Sequence, residues 1–159
     1  MDIYTDYAYH TGELYANESR TGFIGIEDSQ HAPVLPRIRM ILRLIRRIRF
    51  SRVKSLLGFI RQIEGANEEY VKMRHLDVLM VAVDSAHQGK GIATELVAFA
   101  KQEADTKGSP LLIDTDMEPY AKMYEHLGCE LYHTVTADNG VTRYSLVYNK
   151  PKTVSESRI

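Results

Sequence analysis

Between Leu76 and Lys107 the chain reads as a buried strand, a glycine turn and an amphipathic helix in immediate succession, and that order restricts the fold more than any other feature. Leu76 to Val83 is aliphatic apart from Asp77, the composition expected of a strand covered on both faces. Gly89 and Gly91 follow. Ile92, Leu96, Val97, Phe99 and Ala100 then share one helical face, with Gly108 placed to end the helix. The pattern repeats downstream, where Leu111 to Ile113 reads as a strand, Pro119 suits the first turn of a helix and Gly128 marks its end. Cys129 to Thr136 and Val141 to Tyr148 flank Asp138-Asn139-Gly140, and Asn-Gly is a strong hairpin signal.

The N-terminal half differs. Asp6 to Ile26 carries short aromatic and β-branched runs broken by Thr11-Gly12 and Glu18-Ser19-Arg20, predicting two or three antiparallel strands. Asp28 to Pro36 reads as a loop, with a helix starting after Pro36. From Arg37 to Glu64 apolar residues recur at helical spacing, which predicts two amphipathic helices that break near Ser51. Strands alternating with helices, and hairpins at both ends, predict an α/β (α+β) fold of mixed strand direction.

Arg37, Arg39, Arg43, Arg46, Arg47, Arg49 and Arg52 crowd into a segment whose other residues are largely Ile and Leu. The plainer reading is a solvated face on a helix packed against the sheet. The other is contact with nucleic acid or an anionic membrane. Global charge selects neither, because the 159-residue chain has a formal net charge of -1. That length suits one domain, expected over residues 1–150, with an Arg-rich helical insert at 37–64, a core unit at 74–136 and a flexible tail at 151–159. A single cysteine, Cys129, and the lack of zinc-ligand spacing lead us to expect no metal and a reducing, cytoplasmic setting.

Gln88-Gly89-Lys90-Gly91-Ile92-Ala93 joins strand to helix, where unpaired N–H groups at the positive end of a helix dipole suit a pyrophosphate. Taken alone, two glycines also make an ordinary tight connection. No G-x-x-x-x-G-K-[ST] loop is present, and the dinucleotide pattern would need glycine where Thr94 stands. Gln88, Gly91 and Ala93 do match Q/R-x-x-G-x-G/A, and Tyr124 to Cys129 approximates Y-x-x-x-G-F. With these two motifs, the chain from His75 onwards resembles the GNAT superfamily of N-acetyltransferases.

The resemblance implies a mixed, mostly antiparallel central sheet flanked by helices, and transfer of an acetyl group from acetyl-CoA to a primary amine by direct attack. It implies that the main chain of Val81, Ala82 and Val83 pairs with the pantetheine arm. The amides of Gln88, Gly89, Lys90, Gly91, Ile92 and Ala93, with Thr94, would hold the pyrophosphate, and Lys90 would add charge at the rim. It makes Tyr124 the general acid, a phenol that would otherwise simply pack against the sheet. Asp77, a carboxylate in an apolar run, is the candidate base, with an ion pair to His75 as the competing reading. Glu69 and His75 are the weaker alternatives for that base. The acceptor implied is a small-molecule or peptide amine. A module on the same fold that binds acyl-CoA or nucleic acid without catalysis is the alternative function.

Three departures from the family pattern stand out. Met117 replaces the Asn that often contacts the cofactor, leaving Asp116 and Glu118 as expected capping residues. Cys129 replaces the final Phe and is expected to be a small buried hydrophobe. The elements that usually precede the opening strand pair have no counterpart here. The helices after Pro36 would take over their packing and substrate-wall roles, a second copy in a homodimer would cover the sheet edge, or the true start would lie upstream.

Overall fold

The computed structural model describes residues 7–9, 14–31, 34–47, 50–63, 70 and 72–149; Arg49, Glu69 and the 151–159 tail lie outside these. Six strands form one sheet in the order β1-β2-β3-β4-β6-β5. They are β1 (Leu14–Ala16), β2 (Gly22–Asp28), β3 (Leu76–Val83), β4 (Leu111–Thr115), β5 (Glu130–Thr136) and β6 (Thr142–Tyr148). Among the described residues, four longer helices accompany them: α1 (Val34–Arg47), α2 (Phe50–Ile63), α3 (Ile92–Lys107) and α4 (Glu118–His126). Only β3 and β4 run parallel, because helix α3 carries the chain back between them; every other neighbouring pair is antiparallel.

The expected strand, turn and helix boundaries around β3 and α3 hold. Gly108 ends α3 in the left-handed region at φ 59°, its N–H returning to the Ala104 and Asp105 carbonyls. Two N-terminal expectations change. Residues 7–9 are helical, not strand, because burial decides: Tyr7 and Ala8 are both buried and the Tyr7 hydroxyl donates to the buried Glu27 carboxylate. Helix α1 starts at Val34, with Pro36 inside its first turn, where a missing N–H costs no intrahelical bond.

One apolar cluster joins sheet to helices. Ile24, Leu76, Leu111, Ile113 and Leu146 meet Leu96, Val97 and Ala100 of α3 and Ala121 and Tyr124 of α4. Gly22 lets β2 pass under the start of α3, since a Cβ there would lie 2.4 Å from Ile92 Cγ2. Asp28, 3% exposed, is a carboxylate buried at the end of β2. Its carboxylate accepts from Arg74 Nη2 at 2.7 Å and from Arg74 Nε at 3.3 Å, with Lys107 Nζ at 3.5 Å. That paired guanidinium holds the Asp28 carboxyl well below the usual carboxylate range.

A depressed folded-state value means that the stability contributed by Asp28 is complete above the unfolded value of about 4 and drains away as the pH falls below it. Asp28→Asn should destabilise the fold near neutrality by removing the charge that Arg74 and Lys107 pair with, and should flatten the acid side of the stability curve. Urea unfolding measured from about pH 7 to pH 3 tests this; two curves that stay parallel would remove Asp28 from the acid limb.

Candidate acyl-transfer site

Strands β3 and β4 begin side by side and then part. Leu76, Asp77 and Val78 pair with Leu111, Leu112 and Ile113, and there the pairing stops. Asp114 and Thr115 continue on β6, while Met80 to Val83 continue on β2. The ladder of β2 and β3 shifts at the same level, with Gly25 opposite Met80 and Ile26 opposite Val78, so Leu79 is an extra residue on β3. Such a bulge bends and twists its strand, which is what turns β3 away from β4. Among the described residues, the edge of β3 beyond Val78 that faces β4 has no strand partner.

A cleft of about 1650 Å³ opens from this fork. Val81, Ala82 and Val83 line it, followed by Gln88, Gly89, Gly91, Ile92, Ala93 and Thr94. Asp84 starts the connection by accepting from the Ala86 N–H at 3.0 Å, and Gln88 Nε2 ties back to the Val83 carbonyl at 3.3 Å. Gly89 and Gly91 take φ values of 75° and 81°, which side chains with a Cβ resist. Gly91 is the N-cap of α3 and has no side-chain capping bond, and its carbonyl accepts from Glu95 N. The N–H groups of residues 91–94 therefore precede the first intrahelical bond, four donors at the positive end of a 16-residue helix. Lys90 is the one predicted loop residue outside the lining; its ammonium donates to the Ala86 carbonyl at 3.2 Å.

Tyr124 reaches the same cleft from α4, with 7% of its surface exposed. Its hydroxyl makes no hydrogen bond with any described residue. Burial, then the neighbouring Cys129 and Tyr120, raise its pKa above the ordinary phenol value, so the ring keeps its proton at neutral pH. Burial also pushes the Cys129 thiol up, which suits packing and not nucleophilic attack.

Asp77 and His75 both line the cleft, and both readings of Asp77 meet there. His75 Nε2 lies 3.3 Å from Asp77 Oδ2, while His75 Nδ1 lies 2.8 Å from the Met73 carbonyl oxygen. A carbonyl can only accept, so Nδ1 carries the proton, and Nε2 faces the carboxylate. The two side chains are within ion-pair distance and form one polar pair on the cleft wall.

The sequence reading missed the other charged wall. Glu27, Asp114, Asp116 and Arg143 also line the cleft. Arg143 Nη2 pairs with Asp114 Oδ2, and Ser145 Oγ donates to Asp114 Oδ1 at 2.6 Å. Burial, and then the Asp114 charge, push the nearby Tyr132 phenol up to about 12. Asp114 carried the signal that singled out Asp77, a carboxylate abutting an aliphatic run. Asp116 does not cap α4: the N-cap is Met117, and Glu118 pairs with Lys122 at 2.7 Å. Phe59 and Ile63 of α2 form a further part of the wall, the place expected for the helices after Pro36.

This geometry agrees with comparison to known proteins. Residues 49–130 match the acetyltransferase (GNAT) domain family. The chain belongs to the GNAT acetyltransferase family. A presumed acetyltransferase from Agrobacterium tumefaciens is 30% identical over 45% of this chain and 54% of its own, with a TM-score of 0.42, so the chain spans about half the length of that relative. The polyamine N-acetyltransferase of Drosophila melanogaster has a TM-score of 0.54 at 16% identity, covering 86% of this chain and 73% of its own. The NatB acetyltransferase complex bound to CoA has a TM-score of 0.55 at 12% identity, over 94% of this chain and 81% of its own. These last two share the fold. No curated protein matches the sequence.

A Cβ at Gly91 would meet nothing within 4 Å, so Gly91→Val strains the backbone and fills the approach without a clash inside the protein. Its dissociation constant for acetyl-CoA should rise at least about tenfold, equivalent to roughly 1.4 kcal/mol. Calorimetric titration checks this, and equal affinity would move the cradle elsewhere.

Proposed function

We propose that this chain is an acetyl-CoA-dependent N-acetyltransferase that moves an acetyl group to a primary amine by direct attack. The observation that carries this reading is the open edge of β3 running straight into the uncapped N-terminus of α3. An extended amide-bearing arm can add to such an edge by main-chain bonds, as a peptide does in strand addition. A pyrophosphate suits the amides of residues 91–94. When bound, the cofactor supplies an activated acetyl thioester.

The remaining chemistry belongs to side chains. Tyr124 holds a proton at Oη, in a buried position on the cleft, for release to a departing thiolate. Asp77, paired with His75, takes a proton from the acceptor, because only a neutral amine attacks a thioester. Glu27, Asp77, Asp114 and Asp116 give the acceptor half a negative wall, where among the described lining residues Arg143 is the one Lys or Arg and is paired with Asp114. That charge favours a cationic amine over an acidic acceptor.

Free-thiol release during incubation with acetyl-CoA and a panel of mono- and polyamines tests the activity; tight acetyl-CoA binding with no turnover on any amine would favour a binding module instead. Tyr124→Phe should lower kcat by about a hundredfold or more while leaving the acetyl-CoA affinity unchanged. Unaltered turnover would take Tyr124 out of the mechanism. Asp77→Asn should reduce kcat/KM and abolish the acidic limb of its pH profile, whereas an intact profile would assign the proton to water.

A further inference from the structure

Helix α1 has two contrasting faces, and both point outward. Val34, Leu35, Ile38, Ile41 and Leu42 follow the spacing of one helical face, and they are 69, 78, 48, 46 and 55% exposed. Arg39, Arg43 and Arg46 follow the same spacing along one flank of that face and are also exposed. The arginines were expected to be a solvated face on a helix whose apolar side packs on the sheet; the structure leaves that apolar side uncovered. Charge sharpens the contrast. From Val34 to Ile63 there are eight Arg and one Lys with no Asp or Glu, in a chain of net charge -1.

The occupant must accept isoleucine and leucine side chains and arginines along one helix. Nucleic acid would answer the arginines and leave the apolar face in water. A second copy meeting face to face would bring two of these acid-free cationic segments together, where like charges repel. A bilayer with anionic headgroups satisfies both faces at once, with acyl chains under the apolar face and headgroups around arginines that reach up to them. No described helix is long and apolar enough to cross a membrane, so the association is with the surface. We propose that α1 is a membrane-surface anchor that lies in the interface of an anionic lipid bilayer.

The test is co-sedimentation of the full chain with vesicles of phosphatidylcholine alone and of phosphatidylcholine with phosphatidylglycerol. Binding is expected only to the second. Each arginine near an anionic surface contributes about fivefold in partitioning, so Arg39→Ser/Arg43→Ser/Arg46→Ser should lower it by about a hundredfold. The corresponding Lys variant should retain most binding, which separates lost charge from lost folding. Ile38→Ser/Leu42→Ser should also release the protein, with an unchanged circular dichroism spectrum. Equal binding to neutral vesicles, or none to anionic ones, would overturn the proposal. So would an oligomer in lipid-free buffer that Ile38→Ser/Leu42→Ser dissociates, or nucleic-acid binding that the Arg→Ser variant alone abolishes.

Discussion

The structure depends on a broken strand pair. Side by side over only three residues, β3 and β4 are held there by Leu76, Leu111 and Ile113 in the common core. Beyond Val78 the Leu79 bulge turns one strand towards β2 while β6 holds the other. Every part of the cleft follows from that separation. It exposes β3 main chain, leaves room for the loop to turn into α3, and brings Tyr124 of α4 and Asp77 of β3 to one cleft. A continuous sheet of the same composition would have had a larger core and no place for a ligand. The close approach of Gly22 to Ile92 lets α3 begin directly over β2.

Much of this was legible in the sequence, and the reason is local. Aliphatic runs, glycines at left-handed positions and an Asn-Gly turn specify their own backbone, so β3, α3, β4, α4 and the final hairpin fell where their residues required. The loop residues Gln88, Gly91 and Ala93 could be matched to a family because main-chain geometry demands particular residues there. Long-range facts were not legible. Residues 7–9 read as strand by composition and became helical through burial against β2, with Tyr7 bonded to Glu27. No periodicity reports that Asp114, Arg143 and Ser145 meet across two strands. The bulge at Leu79 leaves no mark in an unbroken aliphatic run, although it creates the cleft.

Charge is divided unevenly over the chain. The cleft is lined by Glu27, Asp77, Asp114 and Asp116, while residues 34–63 are wholly basic among their ionisable groups. Near-neutral totals conceal this separation, and a net charge is a poor guide to what either region attracts. Helices α1 and α2 belong to the same basic stretch but differ in their surroundings: Phe59 and Ile63 of α2 line the cleft, whereas Val34, Leu35, Ile38, Ile41 and Leu42 of α1 face outward. A cleft wall and a surface patch thus arise from successive helices of one basic segment.

The unpaired stretch of β3 has a thermodynamic consequence. A sheet with an interior gap is an incomplete folded object, and a ligand that fills the gap with main-chain bonds becomes, in effect, one of its strands. By mass action, such a ligand shifts the folding equilibrium in proportion to the logarithm of its concentration above its dissociation constant. Under the proposed reading, the persistence of this protein against unfolding and proteolysis would rise and fall with the acyl-donor pool. The fork would then couple the lifetime of the chain to supply of its own reactant.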